Sequence, residues 1–371
     1  MKLTIEDVRS RFQKHFDGTT GSVYASPGRI NLIGEHTDYN NGFVFPGAVE
    51  LGIIAEIKPN GTRFVRAYSI DLKDYVEFSL DDEQGPKASW ARYIYGVCRE
   101  MMALGVPVEG FNTAFAGDVP LGAGMSSSAA LESTYAFALN DMWGENKVDK
   151  MELARVGQRT EHKYVGCKCG IMDQFASVHG KAGHLMRLDC RSGEFEYFPW
   201  NPKGYKLVLV NSCVKHELVG SPYNDRRESC ERVAATIHQH HPEVESLRDA
   251  DYSMLEEVAA EVSEEDYKRA KYVIGEKERV LKVCDALEKG DYETVGQMMY
   301  ATHHGLSKEY EVSCVELDFL NDIAKEAGVT GSRIMGGGFG GCTINLVADE
   351  LYDYFIKEVK EKFSAKFGKD P

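Results

Sequence analysis

The stretch Val119-Pro120-Leu121-Gly122-Ala123-Gly124-Met125-Ser126-Ser127-Ser128-Ala129-Ala130 constrains this chain more than any other part of it. Two glycines allow the backbone to turn tightly and to approach a bound group closely. Three serines then open a segment, 127–142, in which Leu131, Tyr135, Ala138 and Met142 fall at helical spacing. The unpaired N–H groups and the dipole of a helix start attract an anion, and hydroxyls there suit phosphate oxygens or a magnesium ion. A serine-capped helix after a turn is the plain alternative, but three serines behind Gly-x-Gly favour phosphate. No GK[ST] follows, so the loop is not a Walker A motif.

A chain of 371 residues exceeds one compact core and suits two domains sharing a cleft. Its formal net charge of −15 argues against binding nucleic acid or an anionic membrane, though not against a small anionic ligand in a local positive field. No apolar run reaches the length of a membrane span. The first residues lack a signal-peptide core; Ile5, Val8, Phe12 and Phe16 predict an amphipathic helix. Nine cysteines at irregular spacing, with no CxxC pair, predict free thiols and a reduced cytoplasm.

Strands are expected at 22–25, 51–57, 64–68, 110–116 and 206–211, and helices at 127–142, 151–165, 225–241 and 263–288. Ser313-x-x-Glu316 reads as a capping box opening a helix that ends near Gly328, and a last helix is expected near 349–367. The fold class is α/β (α+β), mixed sheets with helices. A loose boundary near 192–204 predicts domains 1–195 and 196–371.

Two further stretches carry chemistry. Residues 336–341, Gly-Gly-Gly-Phe-Gly-Gly, formally match GxGxxG, but 342–347 is β-branched and alternating. The dinucleotide fingerprint needs a helix there, so a glycine turn between two strands is expected, either as a hairpin or as backbone lying against a substrate. Residues 28–42, GRINLIGEHTDYNNG, gather an arginine, a glutamate, a histidine and an aspartate beside apolar residues. Such groups suit sugar hydroxyls, which donate and accept together; a metal site from Glu35, His36 and Asp38 is disfavoured without cysteine or a second histidine nearby.

With GRINLIGEHTDYNNG (28–42), PLGAGMSSSAALE (120–132), VGCKCGIMDQFASVHG (165–180), VGSPYNDRRESCE (219–231) and GGGFGGC (336–342) in one order, the chain resembles the galactokinases of the GHMP small-molecule kinase family. The resemblance implies a two-domain fold with the active site in the cleft. It also implies ATP-dependent phosphorylation of the anomeric hydroxyl of α-D-galactose, with ATP and Mg2+ required and no nucleic-acid or membrane partner. A monomer in the cytoplasm is expected.

By the same resemblance Asp173 is the base and Arg29 its paired cation. Glu35, His36, Thr37, Asp38 and Tyr223 are implied sugar-binding residues; Gly122, Ala123, Gly124, Met125, Ser126, Ser127 and Ser128 wrap the phosphates; Ser69 lies near the nucleotide; Ser128 and Glu161 hold the magnesium. Read without the resemblance, Asp173 is a helix cap or a buried paired carboxylate, Arg29 a surface arginine, Glu161 a solvated helix residue and Tyr223 core. An arginine-paired aspartate is also a weaker base, which leaves proton abstraction and charge neutralisation both open. Many family members continue past the position of Pro371 with another aromatic-rich strand, so the last strand of the second domain is expected to be absent, truncated or supplied elsewhere. A kinase for N-acetylgalactosamine and a noncatalytic galactose/ATP sensor are the alternatives; the complete Ser126–Ala130 loop favours an enzyme.

Overall fold

The computed structural model describes residues 3–120, 122–215 and 222–371. Leu121 of the serine loop and residues 219–221 of the VGSPYNDRRESCE stretch lie outside the described residues. The chain forms two compact units. One holds residues 3–29, 48–120 and 125–180, and the other holds 30–47, 122–124 and the described part of 181–371. The single cut expected at 195 therefore differs from the observed division. Residues 30–47 join the later chain because Phe43 and Val44 pair with Asp189 and Leu188 of the strand His184–Asp189, a partner that sequence order does not reveal.

The first unit is built on a five-stranded sheet in the order Ser22–Asn31, Pro46–Pro59, Phe111–Gly117, Phe64–Ser69, Asp74–Ser79. Phe111–Gly117 runs antiparallel to Pro46–Pro59 and parallel to Phe64–Ser69. The strand expected at 22–25 continues through Asn31, so the polar motif begins within the sheet. Helices Ser89–Ala103, Ser127–Met142 and Lys150–Thr160 contribute Ile94, Tyr95, Leu131, Tyr135, Leu153 and Val156 to a core that includes Ile57, Val65 and Phe111 of the sheet. Helix Ile5–His15 begins in a capping box between Thr4 and Asp7 and buries Val8 and Phe12, with Phe16 just beyond. Ile5, expected on that face, is instead half-exposed.

The second unit has a three-stranded sheet in the order Gly331–Ile334, Cys342–Ala348, Tyr205–Asn211, and another in the order Phe43–Val44, His184–Asp189, Phe195–Pro199. The glycine cluster joins Gly331–Ile334 to its antiparallel neighbour Cys342–Ala348, with Ile334 opposite Thr343, as the alternating pattern predicts. Helices Tyr223–His240, Glu264–Glu288 and Tyr292–Lys308 enclose a core of Val233, Ile237, Tyr272, Val273, Leu306 and Tyr310. No helix among the described residues is long and apolar enough to cross a membrane.

The capping box expected at Ser313 does not form. Helix Val315–Glu326 is capped at Cys314 without a side-chain bond, because Asp318 captures the Ser313 hydroxyl at 2.5 Å. Asp318 also accepts from Ser307 Oγ at 2.9 Å and meets His303 Nε2 at 3.1 Å. Burial pushes the Asp318 pKa up, yet hydrogen bonds from His303, Ser313 and Ser307 outweigh it and draw it down to about 2. A carboxyl whose folded pKa is depressed stabilises the fold above its unfolded pKa and loses that contribution as pH falls through the folded value. Asp318→Asn should therefore cost about 1–2 kcal/mol at neutral pH, allowing for its partial exposure, and the difference should vanish between pH 4 and pH 2. Urea unfolding across that window measures it, and a pH-independent difference would contradict the assignment.

Candidate active site

Asp173 lies in the first turn of helix Met172–His179, where the helix dipole favours a carboxylate. Arg29 Nε and Nη2 each lie 2.8 Å from its Oδ1, and Ser126 Oγ donates to its Oδ2 at 2.5 Å. Arg29 is buried, but the Asp173 side chain keeps 30% of its surface exposed. The strand Ser22–Asn31 delivers Arg29 here, and the Arg29 amide donates to the Met125 carbonyl at 3.1 Å, fastening strand to serine loop. Ser126 takes a left-handed conformation, φ 59°, as the residue before helix Ser127–Met142, and forms no capping bond there. Such a conformation costs of order 1 kcal/mol or more in a non-glycine residue. In return the hydroxyl faces Asp173 rather than the helix.

Helix Lys150–Thr160 widens at its end into a π-helical turn, Glu161–Val165, a distortion common at functional sites. The 151–165 periodicity predicts one regular helix and does not show this change of pitch. Its first residue, Glu161, is buried and accepts a hydrogen bond from Ser128. Burial raises the Glu161 pKa most, the Ser128 bond opposes it, and the Asp173 charge adds to it, bringing it to about 7. Glu132, fully buried one turn after Ser128, is raised as well by burial and by the charges of Glu161 and Asp173. Three carboxylates thus share one neighbourhood in which Arg29 pairs with Asp173.

The second unit holds the remaining polar motif. Glu35 is buried, and its Oε1 accepts from Asn31 Nδ2 at 3.0 Å, Arg333 Nη2 at 3.1 Å and the Gly336 amide at 2.9 Å. The Thr37 hydroxyl lies between the carbonyls of Gly34, 3.0 Å, and Phe43, 2.7 Å, so it fastens its own loop. Asp38 Oδ1 accepts from the Tyr39 amide at 3.0 Å. His36 is buried with φ 62°, and its Nδ1 lies 2.6 Å from Tyr39 OH, which in turn lies 2.7 Å from Tyr310 OH. Burial and then the Arg226 charge hold the His36 pKa down to about 3, so its imidazole is neutral. The ring of buried Tyr223 stands 5.4 Å from that of His36. His36 and Tyr223 therefore belong to one aromatic-walled cluster with Tyr39 and Tyr310, while the Glu35 carboxylate faces Arg333.

Gly122, Ala123 and Gly124 meet the other glycine turn. A Cβ at Gly124 would sit 2.9 Å from the Met335 carbonyl, and one at Gly336 would sit 3.1 Å from the Gly124 carbonyl, so the two turns touch backbone to backbone. Ser127 and Ser128 are half-buried at the helix start. Ser69 is buried at the end of the strand Phe64–Ser69, paired with Asp74 and Phe115, and no hydrogen bond among the described residues joins it to the serine loop. Sequence reasoning missed Arg333, Tyr39, Tyr310 and Glu132. An arginine inside the short strand Gly331–Ile334 reads as a solvated residue, and only its complete burial shows otherwise.

The fold is that of a small-molecule kinase of the GHMP type. The GHMP kinases N terminal domain matches residues 92–181, the GHMP kinases C terminal domain matches 284–364, and the galactokinase galactose-binding signature matches 10–59. Galactokinase from Chloroflexus aggregans is 37% identical over 367 residues, 98% of this chain and 94% of that protein. Galactokinase from Thermotoga maritima is 40% identical over 346 residues, 93% of this chain and 95% of that protein. The crystal structure of Lactococcus lactis galactokinase complexed with galactose superposes with a TM-score of 0.92 at 33% identity, covering 99% of this chain and 96% of that one. The chain belongs to the galactokinase family.

Ser126, which the resemblance places in the phosphate-wrapping loop, also holds Asp173 through its hydroxyl. Removing a hydrogen bond to a charged group costs roughly 1.5–3 kcal/mol. Ser126→Ala should therefore lower kcat on the order of tenfold to a hundredfold while leaving the galactose KM near its wild-type value. Steady-state kinetics check this, and an unchanged kcat would remove Ser126 from the site.

Proposed function

We propose that this chain transfers the γ-phosphoryl group of ATP to the anomeric hydroxyl of α-D-galactose, giving galactose 1-phosphate and ADP. Family membership supports the reaction, and the observation that carries the site is the Arg29–Asp173–Ser126 cluster. The sugar O1–phosphorus bond forms as the bond from phosphorus to the bridging oxygen of ADP breaks, and the O1 proton leaves toward Asp173. Such transfers pass through a loose transition state, so positioning and charge neutralisation dominate. Arg29 orients Asp173 through two of its nitrogens and places positive charge near the transferred group. Ser126 fixes the second carboxylate oxygen, and the partly exposed Asp173 side chain receives the sugar hydroxyl.

Ser127, Ser128 and the backbone N–H groups of the helix start bind phosphate oxygens. Ser128 and Glu161 fit a magnesium ion: they supply two oxygens already in contact, in a buried cluster with an excess of carboxylates, and magnesium takes few protein ligands besides phosphate and water. When bound, the ion would neutralise β- and γ-phosphate charge. In the second unit Glu35, His36, Asp38 and Tyr223 recognise the sugar, with neutral His36 acting as a hydrogen-bonding partner rather than a cation. The Thr37 hydroxyl holds the loop, so Thr37 contributes shape rather than a sugar contact.

Incubation with MgATP and a panel of hexoses tests the reading, with ADP release and phosphorus NMR as readouts. Galactose, and not glucose or N-acetylgalactosamine, should give rapid turnover to the 1-phosphate. Binding of galactose and ATP without product would show a sensor instead. Asp38→Asn should reduce kcat/KM for galactose about tenfold to a hundredfold; an unaltered value would exclude Asp38 from sugar recognition.

A further inference from the structure

Glu132 and Gln174 form a contact to which neither phosphate binding nor sugar recognition assigns a task. Glu132 has no exposed surface, and Gln174 is 1% exposed. Gln174 Nε2 donates to Glu132 Oε2 at 3.0 Å. Glu132 lies on helix Ser127–Met142, four residues after Ser128 and so on the same helix face. Gln174 follows Asp173 directly on helix Met172–His179. The third wall is helix Lys150–Thr160, which leads into Glu161 and presents Gly157 to the pair. A Cβ at Gly157 would lie 2.7 Å from Gln174 Cγ and 2.9 Å from Glu132 Oε2. Nothing larger than glycine fits there without moving the pair.

Packing alone does not account for this arrangement. Among the described residues Glu132 Oε1 and Gln174 Oε1 have no hydrogen-bond partner, and buried unsatisfied polar atoms cost roughly 1–3 kcal/mol each. Two apolar side chains of similar shape would join the helices at no such cost. What the amide–carboxyl contact adds is direction: it fixes the distance and the rotation of one helix against another. Two of the three helices that meet at this contact carry Ser128 and Asp173, and the third leads directly into Glu161.

We propose that the Glu132–Gln174 hydrogen bond, enclosed by Gly157, is a positioning device for phosphoryl transfer, holding Asp173 in register with Ser128 and Glu161. Glu132 touches neither substrate nor the reacting atoms and acts through Gln174. The inference rests on the kinase reading above, since register matters only where a nucleophile and a phosphate must be brought into line. Misplacement by about 1 Å in such a site costs on the order of a hundredfold in rate.

The test uses the full-length chain, with wild-type galactose turnover measured in the same assay. Glu132→Ala should lower kcat about tenfold or more, with the galactose KM within about twofold of wild type and circular dichroism unchanged at the assay temperature. Glu132→Gln, which still offers an oxygen to the Gln174 amide, should recover most of that loss. Gly157→Ala, pushing on the same contact from the third helix, should lower kcat without altering the galactose KM, and it decides the matter should Glu132→Ala fail to fold. Equal losses in Glu132→Gln and Glu132→Ala would mean that charge, not register, is at stake, and would overturn the proposal. So would folded Glu132→Ala or Gly157→Ala enzyme with wild-type kcat, or losses confined to KM. A wild-type chain without turnover would sink the kinase reading instead, a distinguishable failure.

Discussion

A guanidinium with no solvent exposure governs the second unit. Arg333 donates to the carbonyls of Leu32 at 2.9 Å and Ile334 at 2.5 Å, to the carbonyl of Asn31, and to Glu35 Oε1 at 3.1 Å. Burying an unpaired arginine would cost several kcal/mol, so the fold can keep this residue only by bringing all of these oxygens to it. That requirement fixes the path of residues 31–35 beside the strand Gly331–Ile334. The amides of Gly34 and Glu35 then meet Glu276 Oε1 at 2.8 and 3.3 Å, and Glu276 is itself held by Arg279 and Thr302. Two buried carboxylates, each with its own arginine, therefore clamp the stretch that carries the sugar-binding candidates. With Glu35 Oε1 already receiving three donors, Oε2 is the oxygen through which Glu35 can address a hydroxyl.

The first unit solves a different electrostatic problem. Burial and the neighbouring carboxylates raise the pKa values of Glu132 and Glu161, while Asp173 pairs with Arg29. A net charge of −15 spread over the chain says nothing about this cluster, whereas burial makes its local excess of carboxylates felt. Such a place is hospitable to a small hard cation with oxygen ligands and repels phosphate unless that cation accompanies it. The same arrangement that would hold magnesium would thus also select for nucleotide that brings its own metal.

Much of this was legible in the sequence because local rules and global fold agree. Helix Ser127–Met142 begins and ends where its apolar spacing predicts, and the alternation after the glycine cluster correctly opposes a dinucleotide fold. Ser263 caps its helix by accepting from the Asp266 amide. What sequence could not supply were interactions between distant residues. Arg333 and Glu35 are 298 residues apart, and nothing local distinguishes a buried arginine from a solvated one. Ser313 fails as a cap because Asp318 outcompetes the helix amide for its hydroxyl. The interleaving of 30–47 with the later chain, and the widening of the helix at Glu161, likewise arise from contacts made only after folding.

The geometry also bears on whether Asp173 acts as a full base. Oδ1 is shared by two arginine nitrogens and Oδ2 receives the Ser126 hydroxyl. These donors hold the carboxylate in one direction. In the proposed reaction such an acceptor would orient the sugar hydroxyl and take its proton only as the phosphorus–oxygen bond nears completion. In a loose transition state the nucleophile needs little negative charge until late, so fixed direction matters more than basicity. In the proposed reaction Arg29 would serve both ends of that process, orienting Asp173 before transfer and placing positive charge nearby as the phosphoryl group moves.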